Sequence, residues 1–208
     1  IKECRAKTVG EISGAVVGNE EIIKLLGAAK RAGVKVNGHC PSMGFRDVQQ
    51  AACAGLCDDH ECESISDLEQ RLACGMAVLV REGTIEPNCR TLCEGIVKNH
   101  IPTDDIMFCT DDKSAEDIKV NGCIDNALRI AVKSGISPVT AIKMATLNVA
   151  RHYGVDDIIG SVAPSRKANF LLMDSLENMT VKKVYHQGRL VAENGEFLCR
   201  HEFDITCY

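Results

Sequence analysis

The sequence predicts an α/β fold: part of a (β/α)8 TIM-type barrel followed by part of a small antiparallel β-sandwich domain. Three observations carry this reading. Short β-prone runs alternate with helical patterns of roughly ten to fifteen residues, the mark of βα units around a parallel sheet. Several runs end in a histidine or an acid: Val34–Gly38 leads into His39, Leu56–Asp58 into His60, and Ile106–Thr110 into Asp111-Asp112. Barrel enzymes present their functional side chains at such C-terminal strand ends. After Gly160 the pattern changes to short strands separated by tight turns. Residues 1–158 are therefore assigned to the barrel portion and 159–208 to the β portion.

In chain order, Lys7 to Ile12 alternate loosely as a weak strand. Asn19 can cap a helix that opens on Glu20 and Glu21, carries apolar residues at 22, 23, 25, 26, 28 and 29, and stops near Gly33. Val34–Gly38 follows as a strand, then a helix over Asp47–Ala54 closed by Gly55. Ser66-Asp-Leu-Glu69 resembles a capping box and opens a helix running to Gly75. Met76–Val80 is a buried-type strand, Asn88–Lys98 a helix and Ile106–Thr110 a strand. Two or three helices are expected between Ala115 and Tyr153, one of them starting at Ser137-Pro138 with proline at the first helical position. In the tail, Asn169–Met173, Val181–His186 and Arg189–Glu193 read as strands, the last followed by the Asn194-Gly195 hairpin signal. Five strand-like runs precede residue 111, whereas a closed barrel needs eight. With Ile1 in place of Met and a strand-like segment running to Tyr208, truncation at both ends is expected.

Composition narrows the function. A net charge of -5 and a pI near 5.7 provide no basic surface for nucleic acid, and 4% aromatics with no Trp provide no stacking platform for bases. No apolar run approaches the ~18 residues of a membrane span, and no signal peptide is expected. The 12 cysteines form no Cys-x-x-Cys, and Cys57, Cys74, Cys109 and Cys123 lie in apolar patterns where thiols act as small hydrophobes. A reducing, cytoplasmic setting follows from that usage.

The strand-end residues Glu11, His39, His60, Arg81-Glu82 and Asp111-Asp112 suit one or two divalent ions, since imidazole with carboxylate binds Zn²⁺, Fe²⁺ or Mn²⁺. His100, His152, His186 and His201 are read as non-ligands. Asp58 and Asp59 either orient His60 or cap its turn.

Gly38-His39-Cys-Pro, Asp58-Asp-His60-Glu-Cys, Gly75-Met with Val80-Arg-Glu-Gly83, and Cys109-Thr-Asp111-Asp-Lys together resemble the adenine deaminase branch of the amidohydrolase superfamily. The stretches Ala141–Ala150, Gly160–Pro164 and Ala168–Asp174 are similar to the superfamily's general C-terminal pattern, except that Asn169 stands where Asp is usual. The resemblance implies barrel strands 4 to 8, a binuclear centre with Mn²⁺ first and Fe²⁺ or Zn²⁺ next, and metal ligands Glu11, His39, His60 and Asp111, with Asp112 the fallback. A His-x-His pair of strand 1 is expected upstream of Ile1. It further implies hydrolysis of adenine to hypoxanthine and ammonia, a purine-salvage step, by a full-length homo-oligomer. An activated water attacks C6 of the purine. Asp111 takes its proton and passes it to the leaving amine, and Glu61 or Glu82 hydrogen-bonds the purine edge or protonates a ring nitrogen. Arg81 either serves the substrate or pairs with one of these acids. Two rivals stay open: an amidohydrolase of cyclic amides, which Glu11 in place of a carboxylated lysine disfavours, and a metal-binding scaffold without turnover. This chain alone is expected to be inactive and poorly soluble.

Overall fold

The computed structural model describes residues 6–198. Five strands, β1 (Thr8–Ser13), β2 (Lys35–His39), β3 (Asp58–Asp59), β4 (Ala77–Arg81) and β5 (Ile106–Cys109), form one parallel sheet in chain order, each pairing with the next. Between them run helices α1 (Glu20–Ala32), α2 (Phe45–Ala54), α3 (Ile65–Ala73) and α4 (Cys89–Lys98). The expected βα alternation is thus present, in an arrangement that fits a partial TIM-type fold.

The local chemistry explains the boundaries. Asn19 caps α1 by accepting from Glu21 N at 2.9 Å, and Gly33 ends the helix with φ 67°, a conformation that suits glycine. The capping box of α3 is two residues earlier than the sequence suggested. Ser64 Oγ accepts from Asp67 N at 3.2 Å, and Asp67 Oδ2 accepts from Ser64 N at 2.9 Å, so Asp67 serves as the acid and Ser66 lies inside the helix. Helix α2 begins at Phe45 rather than Asp47, and the third strand is Asp58–Asp59 rather than Leu56–Asp58.

Side chains alternate between the two faces of the sheet, as the pleat requires. Val36, Val78, Val80, Ile106 and Phe108 point to the helices and are buried in two apolar clusters. One cluster joins β4 and β5 to α3 and α4, and the other joins β2 to α1 and α2. Lys35, Asn37 and His39 alternate with the buried Val36 and Gly38 and so take the opposite, polar face. Gly38 is required there because a Cβ would stand 2.3 Å from the Asp58 carbonyl oxygen.

Four helices follow β5, not two or three: α5 (Ala115–Asn121), α6 (Ile124–Lys133), α7 (Pro138–Ala145) and α8 (Leu147–His152). Ser137 caps α7 and Pro138 takes its first turn, as the sequence indicated. Asn148 ties α8 to the start of β5 by donating to Thr103 O at 2.7 Å and Ile106 O at 3.0 Å.

The tail folds into a four-stranded antiparallel sheet of β6 (Phe170–Met173), β7 (Val181–His186), β8 (Arg189–Glu193) and β9 (Glu196–Phe197). Its turns at Gln187-Gly188 and Asn194-Gly195 place both residues at positive φ, as hairpins of type I′ demand. The last ten residues of the expected β portion, including His201, lie outside the described residues.

Candidate metal and active site

The loops after β2, β3, β4 and β5 leave the same edge of the sheet and enclose a cavity of about 430 Å³. Glu11, His39, His60, Glu61 and Asp111 all line it, as does Asp112. His39 Nδ1 lies 3.3 Å from His60 Nε2, and Glu61 Oε1 is 3.3 Å from each of those nitrogens. Two further carboxylates approach His60 Nε2, Glu11 Oε2 at 3.5 Å and Asp111 Oδ2 at 3.6 Å. Two overlapping donor groups result, Glu11–His39–His60 and His60–Glu61–Asp111, sharing one imidazole. Glu11 sits within β1 rather than at its end, beside a register shift between Val9 and Ile12.

The donor set suits a cation. Imidazole nitrogens and carboxylate oxygens converge from separate strands with one guanidinium, Arg81, against an excess of acids. Both atom types bind Zn²⁺, Mn²⁺ and Fe²⁺.

Arg81 is buried and organises the acids. Its Nη1 donates to Glu61 Oε1 at 2.5 Å and to Asp111 Oδ2 at 3.0 Å, and it also pairs with Glu86. Burial works to raise the Asp111 pKa. The Arg81 hydrogen bond, the neighbouring His60 imidazole and the Arg81 charge outweigh it and hold this carboxyl below its ordinary range. Asp111 also adopts φ 53°, a left-handed conformation uncommon outside glycine, although Asp tolerates it better than most.

Glu82 does not reach the cavity. Arg81 faces inward, so the pleat turns its neighbour outward toward α4, where burial raises the Glu82 pKa against the opposing help of the Cys89 backbone N–H. Asp112 contributes its backbone, accepting from Thr84 N at 3.0 Å.

The two aspartates before His60 have separate tasks. Asp59 is fully buried. Its Oδ1 accepts from Cys40 N at 3.0 Å and Glu61 N at 3.2 Å, while Oδ2 accepts from Arg71 Nε at 2.9 Å. Arg71 Nη2 donates to Cys40 O at 2.8 Å. One ion pair therefore braces the loops that carry His39 and His60. Asp58 faces the other way, accepting from Gly38 N at 3.1 Å and meeting His152 Nε2 at 2.7 Å. Cys57 completes a third group with metal-ligand chemistry there, but Lys35 Nζ stands 3.5 Å from His152 Nδ1. Arg71 was missed by sequence reasoning because an arginine within an amphipathic helix normally reads as solvated. Its one signal is position, eleven residues after His60.

Comparison with known proteins fits this geometry. Residues 7–191 match the model of the Amidohydrolase family. The chain is 42% identical over 182 residues to an adenine deaminase of Nitratidesulfovibrio vulgaris, covering 88% of this chain and 31% of that protein. It is 36% identical over 200 residues to an adenine deaminase of Kosmotoga olearia, covering 95% and 34% respectively. It thus spans about a third of the length of these relatives. In fold it is similar to N-acetylglucosamine-6-phosphate deacetylase from Pasteurella multocida, with TM-score 0.68, 14% identity, and coverage of 90% of this chain and 57% of that one. A parallel sheet with polar strand ends, matched along nearly its whole length by one family model, leaves a plain conclusion: this chain belongs to the amidohydrolase family.

Proposed function

We propose that this chain is the part of an adenine deaminase that supplies barrel strands 4 to 8 and, from residue 159 onward, part of a β-sandwich domain. The whole protein hydrolyses adenine to hypoxanthine and ammonia in the cytoplasm as a purine-salvage enzyme and homo-oligomer. The observation that carries this reading is the convergence of Glu11, His39, His60 and Asp111 on one cavity, in a chain 42% identical to a protein named adenine deaminase.

His39, His60, Glu11 and Asp111 would hold one or two divalent ions, Mn²⁺ first, with Fe²⁺ and Zn²⁺ as substitutes. Such an ion, when bound, lowers the pKa of a water from ~15.7 to about 7 and so provides the nucleophile. The remaining chemistry belongs to the side chains. Asp111, kept ionised beside Arg81, accepts the proton as the water oxygen bonds to C6. It then delivers that proton to the amino group as the C6–N bond breaks and ammonia leaves. Glu61, ion-paired with Arg81 and buried, presents a carboxylate oxygen to an N–H on the purine edge. Glu82, turned from the cavity, supports the β4 end rather than the substrate.

The test offers the whole protein, loaded with Mn²⁺, adenine and cyclic amides such as hydantoin and dihydrouracil, reading ammonia release from the first and ring opening to a carboxylate from the others. Turnover of adenine alone is expected. Ring opening of the cyclic amides without ammonia from adenine, or turnover of none of the substrates, would sink the proposal.

A further inference from the structure

Adenine is a flat heteroaromatic ring with polar edges and weakly polar faces, yet the cavity proposed to receive it is lined almost wholly by charged and imidazole side chains. Among its lining residues only Pro41 and Ile85 bring apolar side chains. Pro41 follows β2 and Ile85 follows β4, so in the sheet order their loops flank the β3 end that carries His60 and Glu61. Ile85 is 77% exposed, so its side chain is free to lie against a ligand in the cavity that it lines.

The loop holding Ile85 is fixed rather than slack. Glu82 bridges Pro87 across its base, and Gly83 N donates to Glu86 O at 3.4 Å. Thr84 is fastened from both sides: its N–H donates to Asp112 O at 3.0 Å, and its hydroxyl donates to Asp117 Oδ2 at 2.8 Å and accepts from Ser114 N at 2.9 Å. Glu86 pairs with Arg81, which also binds Glu61 and Asp111. Gly83 lies so close to the β5 end that a Cβ would meet Thr110 O at 3.0 Å. The loop tip is therefore indexed to the acids that act on the substrate.

We infer that Ile85 is a specificity-determining residue whose side chain covers one face of the heteroaromatic base, while the tethers of Thr84 and Glu86 hold it in register with Glu61 and Asp111. The inference rests on the proposed deamination of adenine. A binding site for a flat ring needs apolar cover on its faces and a few polar groups at its edge, and here those roles divide between the loop tip and Glu61.

Because Ile85 is exposed, its truncation opens no core cavity and should leave folding intact. In the whole, metal-loaded protein, Ile85→Ala is expected to raise KM for adenine and the Kd of hypoxanthine together, each about tenfold. Its kcat should stay within about threefold and its metal content unchanged, and Ile85→Val should shift KM by about twofold or less. Unchanged KM and Kd in Ile85→Ala, while the parent enzyme turns over adenine, would overturn this inference and leave the deaminase reading standing. So would loss of metal or of kcat without a change in KM, since the loop would then serve the centre and not the base. Absence of adenine turnover in the parent protein would remove both.

Discussion

Asp59 and Arg71 form an ion pair with no measurable access to water on the acid and almost none on the base, and its worth lies in what it places. Charges taken out of water in this way are costly to orphan: removing one partner of a buried pair typically costs about 3–5 kcal/mol. Arg71→Met is therefore expected to lower unfolding free energy by roughly that amount in a denaturant melt of the whole protein, and to loosen the His39 and His60 loops with it. Glu82 makes a different prediction. Burial raises its folded pKa, so its charged form opposes folding above that pKa, and the penalty fades as pH falls from there to the unfolded value, below which it is gone. Glu82→Gln keeps an acceptor for the Cys89 N–H and should stabilise the protein near neutral pH. The gain should vanish in acid, as read from melting temperature against pH. A gain that grew in acid would contradict the assignment. At this scale His39, His60 and Asp111 were legible because each follows a β-prone run. Arg81 was legible only as a choice between substrate and acids, since its bonds to Glu61 and Asp111 span residues distant in sequence.

Elements were legible where local chemistry acts alone. Asn19, Ser137-Pro138 and Asn194-Gly195 each satisfy a backbone requirement within a few residues, and each appears where the sequence implied. The start of α3 was misplaced because two serines compete: Ser64 has Asp67 three residues on, and Ser66 has Glu69. The earlier pair wins, and it lets Leu68 and Arg71 face inward together. Ser64→Ala should accordingly cost about 1 kcal/mol, and Ser66→Ala markedly less, in parallel thermal melts. Strand β3 escaped a correct boundary for another reason. It is two residues long and highly polar, so neither periodicity nor β-propensity marks it, and its pairing with β2 and β4 is decided by the neighbours.

At the scale of the whole molecule, the described residues form an open parallel sheet whose edge strands β1 and β5 each lack a second neighbour. Parallel sheets ordinarily bury both faces and cover their edges. This chain expressed by itself is thus expected to aggregate or melt without cooperativity and to release no ammonia from adenine. A monodisperse, cooperatively melting and active 208-residue product would contradict that. The polar face of the sheet also presents two candidate ion sites, the cavity of His39 and His60 and the Cys57–Asp58–His152 group. Their chemistry differs: carboxylate and imidazole in excess at the first, a lysine and a direct Asp58–His152 hydrogen bond at the second. The most direct measurement is anomalous diffraction at the manganese edge from crystals of the whole protein grown with Mn²⁺. The account predicts a peak within coordinating distance of His39, His60 and Asp111 and none at His152. A peak at His152 with none in the cavity would contradict it.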